Sequence, residues 1–247
     1  MKKSVNWQVA LGLFLVGISA VIYTIHYIIF KDARLLIRDF IEYTAFFFIQ
    51  IMFATLIIDK LLNYREKRAM LKKMNMAIGL FYSEVGMELL RKFAAMDPGV
   101  SSIANKFMVS SNWTDKEFLA VSRWAEKYEC AVNISGADME GLKAFLFSKR
   151  QFLLSLLNNP NLLEHETFTN LLWAVFHLLE EVSSRKDIKV LPPKDAAHIA
   201  GDIKRAYSLA ILEWLAYMKH LKSDYPYLFS LAIRMNPFDP DRSAEVK

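Results

Sequence analysis

The sequence predicts an all-α protein: an N-terminal two-helix transmembrane hairpin, a long stalk helix and a cytoplasmic helical bundle. Three observations predict it. Two apolar stretches near the N-terminus are long enough to cross a bilayer, and a basic run follows the second. Beyond that run, apolar residues recur in steps of three and four between helix caps and prolines. The expected segments are a hairpin at 1–60, a stalk at 61–96, a helical domain at 97–238 and a polar tail at 239–247.

Composition bounds what such a chain does. It has 247 residues, of which 54% are hydrophobic, with a mean hydropathy of +0.18, and most of the apolar excess falls in its first quarter. The 18 Phe, 10 Tyr and 5 Trp argue for packed surfaces and against disorder. A net charge of +5 raises nucleic acid as a partner. The densest basic run, however, directly follows the second apolar stretch, where anionic lipid and topology account for it, so no nucleic-acid partner is expected. The single cysteine, Cys130, excludes an internal disulfide and a cysteine-based zinc site.

The first span runs from Val9 to Phe30 without an Asp, Glu, Lys or Arg. Its roughly 22 residues reach about 33 Å as a helix, against a hydrocarbon core of about 30 Å. Trp7 at one end and Tyr23 and Tyr27 near the other suit the two interfaces. A cleaved signal peptide is the rival reading, because Lys2 and Lys3 precede the stretch. The run is too long for one, and at the best small-residue site, Ser19-Ala20, Ile18 stands where a small side chain is needed.

A short connection carrying Lys31, Asp32, Arg34, Arg38 and Asp39 leads to a second span, Phe40 to Ile58. So short a loop makes the pair antiparallel and puts both termini on one side. Lys60, Arg65, Lys67, Arg68, Lys72 and Lys73 follow the second span, and this membrane-proximal basic cluster places both termini in the cytoplasm. The intramembrane polar residues are His26, Glu42 and Gln50. His26 and Glu42 lie near one membrane face, within reach of headgroups or of each other. Gln50 is deeper, where an amide seeks a hydrogen bond from another helix, which points to a homo-oligomer.

Good helix formers fill Leu61 to Phe93, up to the Asp97-Pro98-Gly99 stop. Leu71, Met74, Ile78, Phe81, Val85 and Leu89 form a narrow stripe. Two readings of it stay open: a self-association seam, or the face that docks on the protein's own domain.

Past Pro98 five helices are expected. Thr114-Asp115-Lys116-Glu117 is a capping box for a helix reaching about Glu129. The next runs from Ser135 or Gly136 to Asn158-Asn159-Pro160, and a third from about Leu163 to Val182. A fourth follows Pro192-Pro193 and ends near Lys222, and a short one spans Tyr227 to Arg234. The aromatic stretch from Glu213 to Leu231 reads as core of this half, with a membrane-surface or partner-gripping role as the functional alternative.

Candidate chemistry is limited to acids and imidazoles. Glu164, His165 and Glu166 open the third helix, His177 and Glu180 lie a turn apart, and so do His198 and Asp202. Helical bundles build metal sites from such residues on facing helices, which makes His177, Glu180, His198 and Asp202 the metal candidates. The Glu-x-x-His signature of dinuclear iron bundles is missing, and His177-Leu178-Leu179-Glu180-Glu181 has Glu where an inverted zincin motif needs its second His. No Gly-rich phosphate loop and no Gly-x-Ser-x-Gly elbow occurs, so no catalytic residue, no cofactor and no enzymatic activity is expected. Two sequons, at Asn112 and Asn133, face the cytoplasm in this topology, and Asn236-Pro237-Phe238 is a triplet too common to carry a binding function.

The run Arg65-Glu66-Lys67-Arg68, with Asn75-Met76 and Phe81 to Gly86, resembles a family of bacterial two-span membrane proteins. Phe176-His177-Leu178-Leu179-Glu180-Glu181 and Gly201-Asp202-Ile203 through Asn236-Pro237-Phe238 share the likeness, which covers nearly the whole chain. The resemblance implies a bacterial inner (plasma) membrane and no particular activity. The expectation is therefore a non-enzymatic, membrane-anchored sensor, binding or scaffold protein with the lipid bilayer, a second copy and a cytoplasmic protein as partners. An oligomeric two-span ion channel and a metal-binding bundle are the alternatives.

Overall fold

The computed structural model describes residues 2–162 and 165–245, and every described element is helical. In chain order these are α1 (Lys2–Phe30), α2 (Ala33–Phe81), a π-helical turn (Tyr82–Gly86), α3 (Met87–Ala95), α4 (Val100–Ile103) and a 3-10 turn (Ala104–Phe107). Then come α5 (Asp115–Ala125), α6 (Met139–Ser148), α7 (Arg150–Leu157), α8 (Glu166–Ser184), α9 (Pro193–Asp224) and α10 (Pro226–Arg234). The chain divides into two compact units, Met1–Glu66 and Lys67–Lys247.

In the first unit, α1 contains one helix long and apolar enough to cross a membrane and α2 begins a second. The break between them is short because Lys31 takes a left-handed conformation, φ 52°, and its N–H caps α1 on Tyr27 O. Asp32 Oδ1 then accepts from the N–H groups of Arg34 and Leu35, starting α2. Tyr23 faces Leu36, Ile37 and Phe40 beside the turn. None of Val9–Phe30 is buried within the chain, and Phe14, Phe47 and Phe48, away from the turn, all stand exposed.

The second unit starts at Lys67 and not at residue 97. The reason is packing: Met74, Ile78, Phe81, Val85 and Leu89 of the apolar stripe are buried in its core, while Leu71 stays exposed. The docking reading of that stripe holds from Met74 onward. One extra residue in the π-helical turn rotates the helix as it enters the core. Tyr82 is fully buried there, stacks on Tyr217 at 5.1 Å and donates to Ala210 O. Gly86 is required at this point, since a Cβ would lie 2.5 Å from the Tyr82 ring.

α9 is the central element, with Ile203, Tyr207, Trp214 and Met218 buried along it. The capping box at Thr114 forms as expected, but α5 ends at Ala125. The single helix expected from residue 135 to 158 is two, α6 and α7, because the chain turns at Lys149 (φ −97°, ψ 3°). Asn236-Pro237-Phe238 is core: Asn236 donates to Phe107 O, and Phe238 packs on Phe107 and Trp214. The aromatic stretch divides, with Trp214, Met218 and Phe229 buried and Tyr227, Leu228 and Leu231 exposed.

Candidate metal centre

α8 and α9 are joined by a short loop and pack along each other, as two apolar stripes separated by a Pro-Pro break require. Residues four apart on a helix share a face. His177 and Glu181 form such a pair on α8, and His198 and Asp202 form one on α9. The two pairs face each other. One ligand atom from each of these four side chains lies within 4.8 Å of the other three.

Four contacts are closer than that bound. His177 Nε2 is 3.5 Å from Asp202 Oδ2, and His198 Nε2 is 3.4 Å from the same oxygen. His198 Nε2 is also 3.5 Å from Glu181 Oε2, and His177 Nε2 is 3.8 Å from Glu181 Oε1. Asp202 is 3% exposed, yet its Oδ2 accepts no hydrogen bond from either imidazole or from any other described group. A buried carboxylate oxygen without a partner is costly and calls for one. The imidazoles are open to solvent, their side chains 46% and 52% exposed.

Two guanidinium groups hold the carboxylates. Arg185 Nη1 donates to Glu181 Oε2 at 2.7 Å, and its Nε and Nη2 grip both oxygens of Asp195, one turn before His198. Hydrogen bonding from Arg185 lowers the pKa of Glu181 and of Asp195, and these bonds, with Asp195 the larger contributor, raise that of Arg185. Arg205 Nη1 stands 3.4 Å from the other Asp202 oxygen, Oδ1. Each acid is thereby oriented, and Asp202 keeps one oxygen for the centre.

Of the metal candidates, His177, His198 and Asp202 are brought together. Glu180 is not: it points away from α9 and pairs with Arg150, Nη2 to Oε1 at 3.0 Å. Its neighbour Glu181 takes the place. At about 100° per residue both lie within a quadrant of His177, on opposite sides, so spacing alone leaves the choice open and the facing helix decides it. A four-residue step matched on both helices, His-x-x-x-Glu and His-x-x-x-Asp, is the signal in the sequence that points to Glu181.

Other candidates take other roles. His165 caps α8, its Nδ1 accepting from Phe168 N at 3.1 Å, and Glu166 occupies the first turn. Glu164 lies outside the described residues. The His26 ring rests on Phe30 at 4.7 Å, and no ion pair joins it to Glu42 among the described residues. Gln50 is exposed. Lys60, Arg65, Lys67, Arg68, Lys72 and Lys73 are all exposed, and none makes an ion pair among the described residues. Cys130 is buried against Ser208, and burial pushes its thiol pKa up, as for an inert thiol.

Two family models match the chain: "MJ1433, N-terminal helical domain" over residues 2–62, and "Uncharacterized protein MJ1433, C-terminal helical domain" over 70–234. The protein named "Uncharacterized protein MJ1433" from Methanocaldococcus jannaschii is 40% identical over 234 residues, 95% of this chain and 94% of that one. That relative is archaeal, whereas the sequence resemblance was to a bacterial family. No solved structure matches.

Proposed function

The chain belongs to the MJ1433 family, and on that premise we propose that it is a membrane-anchored metal-binding protein. The apolar parts of α1 and α2 cross a prokaryotic plasma membrane as a hairpin. The domain from Lys67 onward lies in the cytoplasm with both termini, and binds a divalent metal ion at His177, Glu181, His198 and Asp202. Its role is to bind or sense the ion, not to carry out a reaction.

The observation that carries the metal reading is the convergence of four ligand atoms, one of them from Asp202, whose Oδ2 is buried and unpartnered. Support for the membrane reading is that no residue from Val9 to Phe30 is buried within the chain, which leaves an apolar surface that water disfavours. The exposed basic cluster after the second span supports the cytoplasmic orientation. The test is metal analysis of the full chain purified in detergent. One equivalent of a transition metal, lost in a His177→Ala, His198→Ala double variant, supports the reading. No bound metal after loading with excess Zn2+ rejects it.

A second reading, self-association, rests on a separate observation. Gln50 lies among exposed apolar side chains of α2 and has no hydrogen bond within the described chain. Inside a bilayer such an amide gains from a second copy, because a carboxamide is both donor and acceptor. Crosslinking in native membranes tests this: Gln50→Leu lowers the dimer or higher oligomer yield, and an unchanged ladder rejects a role for the residue.

A further inference from the structure

We infer that the centre between α8 and α9 is a single-ion, four-coordinate N2O2 clamp for a Zn2+-type ion, with Arg185 as its positioning residue. The inference rests on the metal-binding reading and specifies its ion, its coordination and its support.

Distance argues for the geometry. Zinc–imidazole bonds run about 2.0–2.1 Å and zinc–carboxylate bonds about 2.0–2.2 Å, and the edge of a tetrahedron with such bonds is about 3.3–3.5 Å. The separations of His177 Nε2 and His198 Nε2 from Asp202 Oδ2, and of His198 Nε2 from Glu181 Oε2, are 3.5, 3.4 and 3.5 Å. Glu181 meets the two imidazoles with different oxygens, Oε2 toward His198 and Oε1 at 3.8 Å toward His177. Binding through one of them turns its carboxylate and draws in four ligand atoms that already lie within 4.8 Å of one another. An octahedral hard ion fits less well. Mg2+ prefers an all-oxygen shell and several waters, and Ca2+ needs six to eight oxygens. Two imidazoles select a borderline ion, and a tetrahedral arrangement favours Zn2+ over the tetragonal preference of Cu2+ or Ni2+.

Charge argues for a single ion. Glu181, Asp202 and Asp195 stand against the guanidinium groups of Arg185 and Arg205, an excess of negative charge that suits one divalent cation and not two. The next acidic position along the α8–α9 face, between Glu181 and Asp195, is already filled by the Arg185 guanidinium. A second metal beside the first would have to displace that cation. The same guanidinium fixes Glu181 on its side of the cluster through Oε2 and is itself anchored at both oxygens of Asp195. Ligating carboxylates held in this way owe part of their affinity to the outer partner, typically about 10–100-fold. With four protein ligands the shell is complete, the pattern of a structural or sensing site and not of one that keeps a position open for substrate.

The test uses the full chain in detergent micelles, stripped with chelator and titrated with Co2+ and Zn2+. Expected are the intense visible d–d bands of four-coordinate Co2+, saturation at one equivalent, displacement by Zn2+, and no displacement by millimolar Mg2+ or Ca2+. Arg185→Gln and, separately, Asp195→Asn, which leave all four ligands in place, weaken Co2+ binding by about 10–100-fold and change the band pattern. Binding with the weak bands of six-coordinate Co2+, or equal competition by Mg2+, overturns the clamp while leaving a metal-binding protein. Two bound equivalents in the wild type overturn the single-ion claim. Unchanged affinity and spectrum in both variants remove Arg185 from its role. Absence of any binding sinks the underlying metal reading itself.

Discussion

Nε2 of His177 on α8 stands 3.5 Å from the buried Oδ2 of Asp202 on α9, and no hydrogen bond joins them. His198 Nε2 stands 3.4 Å from the same oxygen. Two imidazoles directed at one desolvated carboxylate are poorly satisfied by each other and well satisfied by a cation among them.

Neighbouring acids on α8 differ sharply in what they touch. Glu181→Gln is expected to weaken Zn2+ binding at least tenfold, on the scale of losing a ligand or its orientation. Glu180→Gln, which loses only its partly exposed pair with Arg150, leaves affinity within about twofold, since such surface pairs contribute roughly 0–1 kcal/mol. Competition titration against a colorimetric chelator measures both. Equal losses in the two variants would return Glu180 to the site.

Glycines in helical segments respond oppositely to alanine. Gly201 on α9 has open space around a built Cβ, so Gly201→Ala should stabilise the domain by roughly 0.5–1 kcal/mol. Gly86 ends the π-helical turn, and a Cβ there meets the buried rings of Tyr82 and Phe81 at 2.5 and 2.9 Å. Gly86→Ala should therefore destabilise by about 1–3 kcal/mol through overpacking. Thermal melts in detergent followed by tryptophan fluorescence read both signs.

The Thr114 capping box makes a pH-dependent contribution. Thr114 Oγ1 accepts from Glu117 N, while the Glu117 carboxylate accepts from Thr114 N and Oγ1. The backbone hydrogen bond, then the hydroxyl, lowers the Glu117 pKa. A group depressed on folding stabilises above its unfolded pKa, near 4.3 for Glu, and that contribution is lost as pH falls through the folded value. Thr114→Ala should cost about 0.5–2 kcal/mol at neutral pH. The gap between variant and wild type should narrow in acid; a pH-independent gap would detach the charge from the cap.

Membrane insertion has its own measurement. The full chain should stay with membranes through alkaline carbonate and high salt, because hydrocarbon burial and not charge retains it. A chain begun at Lys67, which keeps the buried Met74, Ile78 and Phe81, should be recovered without detergent. Release of the full chain by carbonate would remove the spans from the proposed function.

Much of the fold is legible in the sequence because it is local. Charge-free apolar length marks Val9–Phe30, Thr114 and Glu117 announce their cap, and Pro193 and Pro226 each open a helix. Lys149 escapes because no Gly or Pro marks the break between α6 and α7. The π-helical turn escapes for a similar reason: its extra residue is accommodated by how Tyr82 packs on Tyr217, a contact with no local trace.

The sequence by itself determined the helical class, the two apolar stretches, the basic cluster and the supply of imidazoles and acids on two neighbouring helices. Only the tertiary structure decided that Glu181 and not Glu180 meets His198, that Asp202 is buried with an oxygen to spare, and that Arg185 stands beside them. The physical reason is rotational. A residue's place around a helix follows from its number, but which side faces inward is fixed by the ridges and grooves of the helix packed against it.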